Sequence, residues 1–100
     1  MIIRRPNLKR LELIANQSCE REIIEALEQS INDFYYTLLP IVHGRGNTKY
    51  KLGTSTWPEQ NFMLISYLED EDATKALQII NEIKDQFRRE GIKVFILDTK

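Results

Sequence analysis

Two stretches of helical periodicity, each set between runs of strand character, constrain this chain most. In the first, Cys19, Ile23, Ala26, Leu27, Ile31 and Phe34 recur at helical spacing. In the second, Ala73, Ala76, Leu77, Ile80, Ile83 and Phe87 do the same. Around them lie four strand-like runs. LKRLELIAN (8–16) places Leu11, Leu13 and Ala15 in alternation, so that one face meets a core. YYTLLPIV (35–42) is rich in aromatic and β-branched residues. FMLISYL (62–68) is apolar on both parities, which predicts a strand buried on both faces. IKVFIL (92–97) is the last run. Strand, helix, strand, strand, helix, strand is the order of the split βαβ, or ferredoxin-like, α+β fold. Right-handed crossovers would place both helices on one face of a four-stranded antiparallel sheet.

Local signals set the expected boundaries. Ser18 is the expected N-cap of the first helix, with Glu20 and Glu22 in its first turn where the helix dipole favours acids. Asn32-Asp33 signals a turn. Pro40 has no N–H, which predicts a sheet edge or a bulge. Asp70 or Asp72 is the expected cap of the second helix. Gly91 is expected in a left-handed C-terminal cap, after Arg88 and Arg89. The second face of the sheet would carry Ile14, Tyr36 or Leu38, Met63, Ile65, Phe95 and Leu97. So many apolar groups left bare are a hazard for a monomer, which predicts that other copies of the chain cover them.

One hundred residues, 42% hydrophobic and 29% charged, make one domain of soluble globular character, spanning 1–100. Fourteen basic residues against fifteen acidic ones leave a charge of −1, without the basic field that general nucleic-acid binding needs. No apolar run approaches the ~20 residues of a membrane span. The first residues, MIIRRPNLKRLELIAN, do not read as a signal peptide. The single cysteine allows no internal disulfide and suits a reducing compartment. The expectation is a cytoplasmic protein, without nucleic-acid binding or membrane insertion.

Between the two middle strands stands HGRGNTKYKLGTSTWPEQN (43–61), with three of the four glycines and the only histidine and tryptophan. A hairpin needs only two to about five residues there, so the connection at about 44–61 is the candidate working part. Enzymes and binding modules both use this fold, so the residues must decide. An acylphosphatase-like phosphate cradle needs glycine between first strand and first helix, and NQSCER has none. An RNA-recognition strand needs a Lys/Arg-Gly-Phe-Gly-Phe pattern, which NFMLISYL lacks. A metallochaperone needs paired thiols. No nucleophile, base and orienter emerge together, so the expectation is a regulatory or ligand-binding module and not an enzyme.

The segment GRGNTKYKLGTSTWPEQNFMLISYLEDEDATKALQIINEIK, with EGIKVFIL after it, resembles the PII-like signalling proteins of the nitrogen regulatory PII and CutA superfamily. More narrowly, it is similar to a small bacterial subgroup with Gly-Arg-Gly, Leu-Gly-Thr and Trp-Pro in the loop. The likeness extends over nearly the whole chain from Leu8, and LEDEDATKAL is similar to the Pro-Asp-Glu-Asp helix start of PII proteins. It implies a homotrimer with sheets facing inward, a T-loop that meets partner proteins, and nucleotide and 2-oxoglutarate in clefts between subunits. The sequence departs from PII proteins before the last strand. QFRREGIKVF replaces their glycine- and lysine-rich loop, leaving Arg88, Arg89 and Lys93 to supply charge. The segment around the modified tyrosine of PII proteins is also incomplete, and their C-terminal extension has no counterpart.

Within the connection, Gly44, Arg45 and Gly46 suit close backbone approach to an anionic ligand with an arginine contact, or a strand ending in a bend. Gly53, Thr54, Ser55 and Thr56 offer hydroxyls and N–H groups, or form a polar turn. Trp57 is either a binding anchor or a plug against a neighbouring subunit. Lys49, Tyr50 and Lys51 make a candidate partner-contact tip. With Arg89 and Lys93, these are the candidate ligand and partner residues. The expected ligand is a small effector, with an adenine nucleotide or a divalent metal as candidates, and none is required for the fold. The expected partner is a regulatory protein or a membrane transporter. The alternatives are a CutA-like divalent-metal protein using His43 and Glu59, and a structural trimer that scaffolds a transport partner. Cys19 reads as packing, and Glu69 to Asp72 as a capping cluster without calcium-loop spacing.

Overall fold

A computed structural model describes residues 8–44, 60–87 and 90–99. Strand β1 (Lys9–Asn16) leads through a 3-10 turn (Gln17–Cys19) into helix α1 (Glu20–Ser30). Strands β2 (Thr37–Val42) and β3 (Asn61–Leu68) follow, then helix α2 (Asp70–Gln86) and strand β4 (Ile92–Asp98). The strands form one sheet in the order β2-β3-β1-β4, antiparallel at every pairing. This is the ferredoxin-like α+β arrangement expected from the periodicities.

The core lies on the helix-covered face. Leu11, Leu13 and Ala15 of β1 and Phe62 and Leu64 of β3 are fully buried. Ile23 and Leu27 of α1 and Ala76 and Ile80 of α2 close over them in the same cluster. Each helix presents its apolar stripe to the apolar parity of the strands, so burial and local periodicity agree. Ser66 is the buried polar side chain among the core positions. Its hydroxyl donates to the Tyr35 carbonyl at 2.7 Å, which joins β3 to the entrance of β2.

Pro40 meets its expectation twice over. Strand β2 is at the sheet edge, and its pairing with β3 shifts between Leu39 and Val42. Other local signals require correction. Ser18 lies inside the 3-10 turn and does not cap α1; its N–H donates to the Asn16 side chain at 2.9 Å. The cap position of α2 is Glu69, without a side-chain hydrogen bond, and Asp70 and Asp72 fall in the first turn. There they face the positive end of the helix dipole. Gly91 does not take a left-handed conformation, because α2 already ends at Gln86 with Phe87 bonded back to Ile83.

Helix α1 stops at Ser30, and Asp33 turns the chain with a φ of 53°. Ile31 and Phe34 are buried, but they reach the core through this turn and not along the helix. Phe34 then stacks on Tyr36, with ring centroids 5.3 Å apart. Strand β3 is buried on one face only. Its alternate residues Met63 and Ile65 are partly exposed and Tyr67 is 53% exposed, because no second layer among the described residues covers them.

Candidate functional site

Register places the side chains of the open face in three rows. Thr37, Ile65, Glu12 and Phe95 lie side by side across the four strands. Leu39, Met63, Ile14 and Lys93 make the next row, and Tyr67, Arg10 and Leu97 a third. Phe95 and Leu97 are 50% and 43% exposed. Arg10 and Glu12 in this face are paired. Arg10 Nε donates to Glu12 Oε2 at 2.7 Å, Arg10 Nη1 lies 2.9 Å from the Tyr67 hydroxyl, and the guanidinium sits 5.7 Å from the Tyr67 ring centre. Period-2 alternation with Leu11 and Leu13 already assigns Arg10 and Glu12 to this face, although sequence reasoning did not single them out.

The same registers decide which candidate residues can meet. Val42 and Asn16 are both opposite Asn61, and Ala15 is opposite Ile92. The exit of β2, the entry of β3, the exit of β1 and the entry of β4 therefore share one end of the sheet. His43 and Gly44 leave β2 at this end, exposed. Lys93 stands exposed near it on β4. These groups are on opposite edges of the sheet, three strand spacings or about 14 Å apart.

A Cβ built on Gly44 meets no atom within 4 Å, so packing among the described residues makes no demand for glycine there. Arg45, Gly46, Lys49, Tyr50, Lys51, Gly53, Thr54, Thr56, Trp57, Glu59 and Arg89 lie outside the described residues. Of the metal pair, His43 is at the mouth of the connection, and no group of three or more His, Cys, Asp or Glu among the described residues could hold a metal ion. Cys19 is fully buried, and burial pushes its thiol above the ordinary range, which favours packing over reactivity.

The stems of the connection meet at a residue the sequence reading passed over. Gln17 donates its side-chain amide to the Pro40 carbonyl at 2.7 Å and its main-chain N–H to the Gln60 carbonyl at 2.9 Å. No local sequence signal marks such a long-range contact. At the opposite end of the sheet, Lys9 pairs with Asp98 and lies 3.7 Å from Asp70, joining β1, β4 and the start of α2. No described helix is long and apolar enough to cross a membrane.

No protein-family model matches the chain. No curated protein matches it either. Solved structures do. A candidate PII-like signalling protein from Thermus thermophilus superposes with a TM-score of 0.62 at 22% identity, over 89% of this chain and 83% of that one. CPII from Thiomonas intermedia, bound to ADP, AMP and acetate, gives a TM-score of 0.66 at 19% identity, over 90% and 83% of the two chains. A DUF3240 family protein from Shewanella baltica gives 0.63 at 12% identity, over 93% and 90%. The chain has the fold of the PII-like signalling proteins.

Proposed function

We propose that the chain is a non-catalytic regulatory module that binds a small anionic effector between subunits and signals through its long connection. The carrying observation is the placement of His43 and Gly44 on one sheet edge and Lys93 on the other, at the same end of the sheet. In a homotrimer that covers the open sheet faces, the Gly44-Arg45-Gly46 segment of one copy comes beside Lys93 and Arg89 of the next. Glycines admit an anion close to the backbone, and the cations bind it by charge-assisted hydrogen bonds. Thr54, Thr56 and Trp57 complete the candidate pocket, and Lys49, Tyr50 and Lys51 are the contact for a protein partner. An effector that binds one state of the connection better than another shifts its population and so alters what the partner meets.

The fold likeness supports an adenine nucleotide as the first ligand to test. CPII of the same fold has been solved with ADP and bicarbonate, at 20% identity to this chain. The test is isothermal calorimetry of the purified protein with ADP, AMP and bicarbonate. Binding of at least one is expected, weakened about tenfold or more by Lys93→Ala or Arg45→Ala, as for loss of a hydrogen bond to a charged group. No binding of any of the three, or binding indifferent to both substitutions, overturns the reading.

A further inference from the structure

One residue ties the bulge in β2 to the end of β1. Pro40 contributes no N–H, and the pairing with β3 slips between Leu39 and Val42. The Pro40 carbonyl stands at this slip, on an exposed edge residue, and accepts from a side-chain donor. The donor is the side-chain amide of Gln17, 2.7 Å from the Pro40 oxygen. The main-chain N–H of Gln17 also bonds the Gln60 carbonyl, one residue before β3 begins. Gln17 itself is fixed by the 3-10 turn, whose next N–H is held by the Asn16 side chain. The residue that follows β1 therefore holds both stems of the connection.

We propose that Gln17 is the positioning residue of the connection between β2 and β3. It sets the spacing of the two stems and ties them to the turn that opens α1. The clamp stands on two hydrogen bonds. Its bearing on ligand affinity rests on the function proposed above. The side chain makes one of the two bonds, so substitution opens the Pro40 stem first and leaves the N–H to Gln60 in place.

Amide hydrogen exchange followed by NMR tests this in the full chain. Gln17→Met keeps the side-chain length and removes the donor; Gln17→Arg keeps an N–H donor. In Gln17→Met, exchange at residues 41–43 and 60–62 is expected to quicken about fivefold, the effect of one ordinary hydrogen bond. Amides of Leu11, Leu13 and Leu64 are expected to stay at the wild-type rate, and Gln17→Arg to restore slow exchange at the stems. Unchanged stem exchange in Gln17→Met overturns the clamp, as does a uniform rise across the core. ADP affinity, measured in parallel, is expected to fall severalfold in Gln17→Met and to recover in Gln17→Arg. Loosened stems with unchanged ADP affinity would overturn the link to binding. A wild type that ignores ADP would overturn the functional reading, while the exchange rates still decide the clamp.

Discussion

Replacing Phe95 by Asp should break the proposed homotrimer without unfolding the chain. Phe95 stands in the middle of β4 on the open face, beside Glu12 of β1, and is 50% exposed. A phenylalanine of about 200 Å² leaves roughly 100 Å² uncovered at that exposure. Covering it by another copy at about 25 cal/mol per Å² stabilises the assembly by about 2.5 kcal/mol per subunit, or about 7.5 kcal/mol over three. Aspartate removes this term and adds the cost of burying a carboxylate beside Glu12, so the loss is larger still. Since the helix-side core does not contain Phe95, the separated chain should keep its far-ultraviolet circular dichroism. Sedimentation velocity at micromolar concentration reads the result directly. The wild type should run as an oligomer and Phe95→Asp at the mass of one chain. A wild type that runs as one chain, or a Phe95→Asp variant that assembles as well as the wild type, would refute the reasoning.

Three other outcomes rest on the fold of a single copy. Leu13→Ala, at a fully buried position, should lower unfolding free energy by about 2–5 kcal/mol in urea titration. The Cys19 thiol, raised by burial, should react with a disulfide reagent at pH 8 far more slowly than in urea, where burial is lost. The Lys9 ammonium is raised above 10.5, chiefly by its hydrogen bond to Asp98. Its stabilising contribution is therefore complete below the unfolded value and disappears as pH rises through the higher folded one. Lys9→Met should flatten that alkaline decline in a pH series of melting temperatures.

The alternation of Leu11, Leu13 and Ala15 and the helical stripes through Ile23 and Ile80 were enough to read the architecture, because each element must bury one face. Pro40 was legible for a similar reason: a missing N–H can be tolerated at few places in a sheet. Helix ends were less legible. Ser18, Asp70, Asp72 and Gly91 have the chemistry of caps, but Cys19, Glu69 and Phe87 occupy the relevant positions. Several residues near each end were chemically eligible, and packing selected among them. Phe34 misled in another way, since a turn at Asp33 brings it to the core as well as a longer helix would have. Gln17 and the pairing of Arg10 with Tyr67 depend on residues distant in sequence, which no window of neighbours can reveal. The opposite-edge placement of Gly44 and Lys93 required the strand order itself.

A site shared between subunits is tested most directly by mixing two defective proteins. Arg45→Ala and Lys93→Ala each remove one wall of the proposed site, from opposite sheet edges. Each alone should bind ADP weakly. Unfolded together and refolded as mixed trimers, some clefts join the intact edge of one copy to the intact edge of another. Calorimetry should then recover a fraction of sites with wild-type affinity. Mixed assemblies that bind no better than their parents, when the wild type binds, would contradict a site between copies.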